Sequence, residues 1–129
     1  LNNISQIYYA RGDYETALDY LSRSLKISQE IGDKSGEGTT LNNISQIYYA
    51  RGDYETALDY LSRSLKISQE IGDRAVEAVT SYNIAMIYEE QGKIQPAIRL
   101  MERVVEIERQ TGHPDYEDDI AYLNRLRQY

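Results

Sequence analysis

Cysteine, tryptophan and phenylalanine are absent from these 129 residues, and there are only two prolines and one histidine. Without cysteine there is no disulfide, no thiol nucleophile and no thiolate metal site, and the redox compartment stays open. No run of about 18 apolar residues occurs, so no membrane-spanning helix is expected. The opening residues LNNISQIYY lack the charged and apolar regions of a signal peptide. A soluble protein of the cytoplasm is the simplest reading. Positive charge is also scarce, since 14 Lys and Arg face 21 Asp and Glu for a net charge of -7. A duplex or an anionic membrane surface would repel such a chain, so neither nucleic acid nor membrane is expected as a partner. With phenylalanine and tryptophan missing, aromatic packing falls to 13 tyrosines, whose hydroxyls must reach the surface or find a hydrogen-bond partner.

What the sequence has is repetition. Residues 1 to 33 and 41 to 73 are identical, LNNISQIYYARGDYETALDYLSRSLKISQEIGD, at a period of 40. A divergent third copy, SYNIAMIYEEQGKIQPAIRLMERVVEIERQTG, sets Ile84, Tyr88, Gly92, Ala97 and Gly112 against Ile44, Tyr48, Gly52, Ala57 and Gly72. Recent duplication and deliberate construction both produce identity this strict.

Within each unit apolar residues recur at spacings of three and four, as in Leu1, Ile4, Tyr8 and then Tyr14, Ala17, Leu18, Leu21, Leu25. Each unit is therefore two amphipathic helices. Gly12 can adopt the left-handed conformation that ends a helix and Asp13 can cap the next one, and the pair recurs as Gly32-Asp33, Gly52-Asp53 and Gly72-Asp73. Pro96 falls in the first turn of its helix, where a missing N–H does no harm. Strand signals are absent. Helices are predicted at 1 to 11, 14 to 31, 34 to 51, 54 to 71, 74 to 91, 94 to 111 and 114 to 128. The last, opened by Pro114 with Asp115, Glu117 and Asp118 at its positive end, breaks the period and reads as a cap, with Ile120, Tyr122 or Leu123, and Leu126 facing inward. At the other end the first helix lacks the leading turns that KSGEGTT and RAVEAVT give its counterparts. It is expected to expose part of a face that a preceding repeat would bury, and so to favour end-on self-association.

Over residues 1 to 112 the chain resembles the tetratricopeptide repeat family in its longer, roughly 40-residue variety, as in kinesin light chains and many bacterial and archaeal multi-repeat proteins. The residues that carry the resemblance are Ser5, Ser45 and Ala85; Tyr8, Tyr48 and Tyr88; Gly12, Gly52 and Gly92; and Ala17, Ala57 and Ala97. Tyr14 and Tyr54 match the aromatic after the turn, but Ile94 does not. Ser24 and Ser64 match the small residue of the second helix, whereas Val104 departs from it, and the proline that usually follows the second helix is replaced by Gly-Asp. The closing TGHPDYEDDIAYLNRLR looks like the tail of many bacterial arrays. The resemblance implies an all-α, right-handed superhelical solenoid forming a single domain, with repeats at 1–33, 34–73 and 74–112 and a cap at 113–129. It also implies a concave groove, lined by the first helices, that holds a peptide or a partner's helix. The groove positions would be Asn2, Asn3, Gln6 and Tyr9, then Asn42, Asn43, Gln46 and Tyr49, then Tyr82, Asn83, Met86 and Glu89. The family often uses the asparagine at the places of Asn3, Asn43 and Asn83 to grip a ligand's main chain, and a carboxamide, which both donates and accepts, suits that task. The basic residues with which chaperone-binding members clamp a terminal carboxylate are missing, so that activity is not carried over.

The rival motifs are weaker. In GDKSGEG the lysine precedes the glycines, no strand leads in and no Gly-Lys-Ser/Thr appears, so a phosphate loop is not supported. Gly36 and Gly38 are better read as admitting a neighbouring helix, at about 1 kcal/mol each relative to alanine. The sequons Asn3-Ile4-Ser5 and Asn43-Ile44-Ser45 lie within a helix and are coincidences. His113 has no converging partners, and the acids Asp115, Glu117, Asp118 and Asp119 beside it fit a helix N-terminus better than a cation site. With no nucleophile elbow, paired buried carboxylates or ligand cluster, no enzyme and no cofactor are expected. The expected function is a non-catalytic interaction scaffold. A structural or engineered array that only stacks is the alternative.

Overall fold

A computed structural model describes the backbone from Asn2 to Tyr129 and the side chains from Ile4 onward. Leu1 and the side chains of Asn2 and Asn3 lie outside the described residues. Among those described there are seven helices and no strand: α1 (Asn2–Ala10), α2 (Tyr14–Ile31), α3 (Lys34–Ala50), α4 (Tyr54–Ile71), α5 (Arg74–Glu90), α6 (Ile94–Thr111) and α7 (Tyr116–Leu126). The fold is the all-α helix-pair repeat of a solenoid. It divides into two compact units, Leu1–Gly72 and Asp73–Tyr129.

The turns follow from local chemistry. Gly32 closes α2 with a φ of 73°, and the next amide, of Asp33, donates back to the Ser28 carbonyl at 2.8 Å. Asp53 precedes α4 and accepts the Thr56 amide at 3.2 Å while the Thr56 hydroxyl donates to its other oxygen at 2.8 Å. Asp13 and Thr16 repeat that arrangement ahead of α2. In the third copy Lys93 stands in place of the aspartate and makes no side-chain cap bond. The donor has gone with the acceptor, because the residue three places on is Pro96, which has no N–H.

The seventh helix begins later than predicted, since Pro114 lies in the turn before it rather than in its first turn. The cause is local. The Asp115 amide donates to His113 Nδ1 at 3.0 Å, and the Tyr116 amide donates to the His113 carbonyl at 3.2 Å, which winds a separate turn ahead of the helix.

In the first unit Ala17 and Leu21 of α2 meet Ile44 and Ile47 of α3, with Tyr8, Tyr14 and Tyr48 packed around them. The tyrosines are used in pairs: Tyr8 stacks on Tyr20 with ring centroids 5.6 Å apart, and Tyr48 on Tyr60 at 5.7 Å. The α3–α4 joint is polar, the Ser64 hydroxyl donating to the Gly38 carbonyl at 2.8 Å. A Cβ at Gly38 would stand 3.6 Å from Ile67, an ordinary contact, whereas one at Gly36 would meet the capping carboxylate of Asp33 at 2.4 Å. The same Cβ would stand 3.1 Å from the Ser28 hydroxyl of α2, and Val76, the counterpart of Gly36, keeps an aspartate cap, its amide donating to Asp73 at 3.1 Å, so glycine is not required for the cap. In the second unit the counterparts of Gly38 and Ser64 are the buried Ala78 and Val104, so the polar joint becomes an apolar one within the core of Ala97, Met101, Ile107, Tyr122, Leu123 and Leu126.

The capping geometry predicts that Asp53→Ala costs about 1 kcal/mol. Lys93→Asp should gain less than about 0.5 kcal/mol, the range of an ordinary surface change, because Pro96 leaves the new carboxylate nothing to cap. Urea unfolding of the two variants beside the parent chain checks both.

Candidate functional site

On the first unit, α1 and α3 bring four of the expected groove residues together. Gln6, Tyr9, Asn43 and Gln46 line one crevice with Ser5, Leu21 and Ile47. Its volume is about 20 Å³, room for about one water molecule, so a ligand would lie along this face rather than enter it. Gln6 and Gln46 are exposed and Asn43 is half-buried. Tyr9 and Tyr49 also serve the fold, their rings resting 5.6 and 5.4 Å from Tyr14 and Tyr54 across the turns.

Asn42 departs from expectation. It is 7% exposed and faces the interior, because adjacent helical residues point about 100° apart and Asn43 takes the outward direction. Asn2 and Asn3, also expected on the groove, lie outside the described side chains. The sequon at Asn43 is structurally closed: Ser45 is 2% exposed and its hydroxyl donates to the Asn42 carbonyl at 2.6 Å.

On the second unit Tyr82, Asn83, Met86 and Glu89 are all half-buried. Tyr82 meets Tyr122 of α7 at a ring distance of 5.7 Å, and Met86 packs on the core. Glu89, expected to face a ligand, is already engaged. It accepts the Tyr122 hydroxyl at 2.7 Å on one oxygen and the Tyr129 hydroxyl at 2.8 Å on the other. Burial, and then the bond to Glu89, raise the Tyr122 hydroxyl above the usual phenol range.

A second concavity, of about 680 Å³, opens among α5, α6 and α7. Ala78, Val79 and Tyr82 of α5 line it, with Ile107 and Glu108 of α6 and His113, Asp118 and Asp119 beyond. Glu108 is only 5% exposed. Burial and contact with the Asp119 carboxyl push it up to about 8, and burial raises Asp119 as well. Oε2 of Glu108 stands 3.4 Å from His113 Nδ1. A buried carboxyl beside a half-buried one was not expected from the sequence. A signal was present: Glu108 occupies the place of Ser28 and Ser68, both of them buried. The buried Glu77 is a different case, because Arg103 donates to both of its oxygens, at 3.0 and 3.4 Å, and compensates its charge.

No described helix is long and apolar enough to cross a membrane, and among the described residues no three His, Asp or Glu side chains are placed to hold a metal ion. Repeated helix pairs closed by glycine turns define a helical-repeat protein. The tetratricopeptide repeat model matches residues 1–70 and again 37–110, and the chain belongs to that family. Among solved structures it is similar to nearly identical TPR-like repeats from Podosopora anserina, at 20% identity and a TM-score of 0.81 over 98% of this chain and 64% of that one. It is similar to the apo form of RapI at 22% identity and a TM-score of 0.91, over 98% of this chain and 36% of that one. It is also similar to BtubC from P. vanneervenii at 18% identity and a TM-score of 0.71, over 98% of this chain and 61% of that one. These likenesses concern the fold, and the chain spans 36 to 64% of the length of those structures. No curated protein sequence is significantly similar to it. The family's fold is in general a protein–protein interaction scaffold without catalysis.

Because the folded values of Glu108 and Asp119 lie above their ordinary ones, protonation favours the fold. The contribution of Glu108 to stability is complete below about pH 4.5 and is lost as pH rises through about 8. Glu108→Gln, which keeps shape and a donor, should match the parent near pH 4.5 and exceed it by at least about 1 kcal/mol at pH 9. Thermal midpoints across that range are the measurement.

Proposed function

We propose that the chain is a non-catalytic interaction module of the cytoplasm that holds an extended peptide or a partner helix against the face shared by α1 and α3. The observation that carries this reading is the convergence of Gln6, Asn43, Gln46 and Tyr9 at one shallow crevice. Three carboxamides there offer both donors and acceptors to a ligand's main chain, whatever its side chains. Asparagine is a poor helix former, so its place in the middle of α3, and again as Asn83 in α5, favours a use beyond the helix itself. To test this, peptides would be selected from a random library against the whole chain and measured on Asn43→Ala. The expected loss is about 1–2 kcal/mol, that of a hydrogen bond left unmade. Undiminished binding would sink the groove reading.

A second reading, end-on self-association, is favoured by α1. Ile4 and Ile7 are 42% and 54% exposed, whereas their counterparts Ile44 and Ile47 are 3% and 1% exposed. The α2 surface that covers the latter pair shows what the former lacks. Light scattering at rising concentration should then show a growing mass that Ile7→Glu abolishes; a constant monomer mass for the parent chain would rule this association out.

A further inference from the structure

We infer that the cleft among α5, α6 and α7 is a receptor for a guanidinium or ammonium group on an apolar stem, supplied as an arginine or lysine side chain of the partner peptide. The inference rests on the interaction-module reading and names the chemistry of one part of the ligand. Its size, about 680 Å³, is within the range of sites that hold small ligands. From α5 its lining takes Val79, an aliphatic side chain left 53% exposed, and Tyr82, a residue type whose ring can attract a cation. The acids of the lining come from α6, α7 and the turn between them, Asp115 and Asp118 exposed, Asp119 half-buried and Glu108 buried.

Glu108 is the part that points to a ligand. Its side chain is more than nine-tenths buried, and no N–H or O–H of a neighbour donates to Oε1. Its surroundings are carboxyls from the α7 side, Asp115 and Asp119, together with His113. The His113 ring gives no compensation in its neutral form, because Nδ1 already accepts the Asp115 amide at 3.0 Å. An uncompensated carboxylate buried among carboxylates is costly, and without a cation the only relief is a proton. The basic residue that answers the buried Glu77, Arg103, has no counterpart for Glu108 among the residues lining the cleft. A ligand cation would take the place of the proton, its stem lying on Val79 and its charge entering between Glu108 and Asp119. A bare metal ion suits the cleft less well, since no three ligating side chains converge.

The test is an NMR titration of the whole chain with N-acetyl-arginine methylamide, with the neutral isostere N-acetyl-citrulline methylamide as control and butane-1,4-diamine as the free-amine arm. The arginine probe should shift the amides of Val79, Asp118 and Asp119 saturably, with an affinity that rises about tenfold from pH 6 to pH 9. In Glu108→Gln the affinity should be several-fold lower and nearly flat with pH, and Asp118→Asn, an exposed change that spares the core, should also weaken it. Equal shifts from the citrulline probe, or a parent chain whose binding ignores pH, would overturn the proposal. Tighter binding of the diamine at the same amides would overturn the peptide side chain as the source. If the arginine probe fails while a library-selected peptide still perturbs Asn43 and Gln46, the cationic pocket falls and the groove reading stands. Only indifference to Asn43→Ala removes the latter.

Discussion

Six glycines with left-handed backbone, Gly12, Gly32, Gly52, Gly72, Gly92 and Gly112, recur every 20 residues with φ between 67° and 79°. Any other L-residue there would cost about 1–2 kcal/mol in crowding between Cβ and backbone. Gly32, Gly72 and Gly112 directly follow the last residue of α2, α4 and α6, whereas Gly12, Gly52 and Gly92 stand two residues beyond α1, α3 and α5, so two kinds of glycine turn alternate along the chain. Nothing lies within 4 Å of where a Cβ would stand at any of the six, so it is conformation and not space that requires them.

Given that frame, the third copy shows what the repeat can trade. It replaces a hydroxyl-to-carbonyl joint by Val104 on Ala78, and a carboxylate cap by Lys93 with Pro96 three residues on. The cap exchange removes donor and acceptor together, whereas in the other only the hydroxyl is lost, since the acceptor was a main-chain carbonyl that Ala78 still carries within its helix. Glu108 is the exception. It puts an acid where the other copies bury serine, and no cation arrives with it.

The two buried glutamates of the second unit illustrate how environment sets the chemistry of one residue type. Glu77 has a guanidinium against both oxygens, which offsets the loss of water. Glu108 has Asp119, and the two carboxyls hold a proton between them at pH values where an exposed glutamate would be ionised. Such a site is poised to exchange a proton for another cation. The same second unit withdraws Glu89 from use by giving both its oxygens phenol donors from α7 and the C-terminal residue. The acidic cleft and the engaged Glu89 thus both come from where α7 lies.

Helix number, the bounds of α2 to α6 to within a residue and the joints between those helices were legible in the sequence, because they depend on the 3.6-residue spacing of apolar residues and on Gly-Asp pairs acting within a few residues of themselves. The exposed positions of Gln6 and Gln46 were legible for the same reason, since a helix of known register has known faces. Pro114 was misplaced because the turn ahead of α7 is held by a side-chain acceptor, His113, whose engagement composition does not announce. The burial of Asn42, the capture of Glu89 by Tyr122 and Tyr129, and the pairing of Glu108 with Asp119 were decided only by the tertiary structure. The two carboxylate contacts join residues from different elements, up to 40 positions apart, and a carboxylate's partner is fixed by what lies against it. Sequence alone determined a helical repeat; packing determined which of its polar groups are engaged within it.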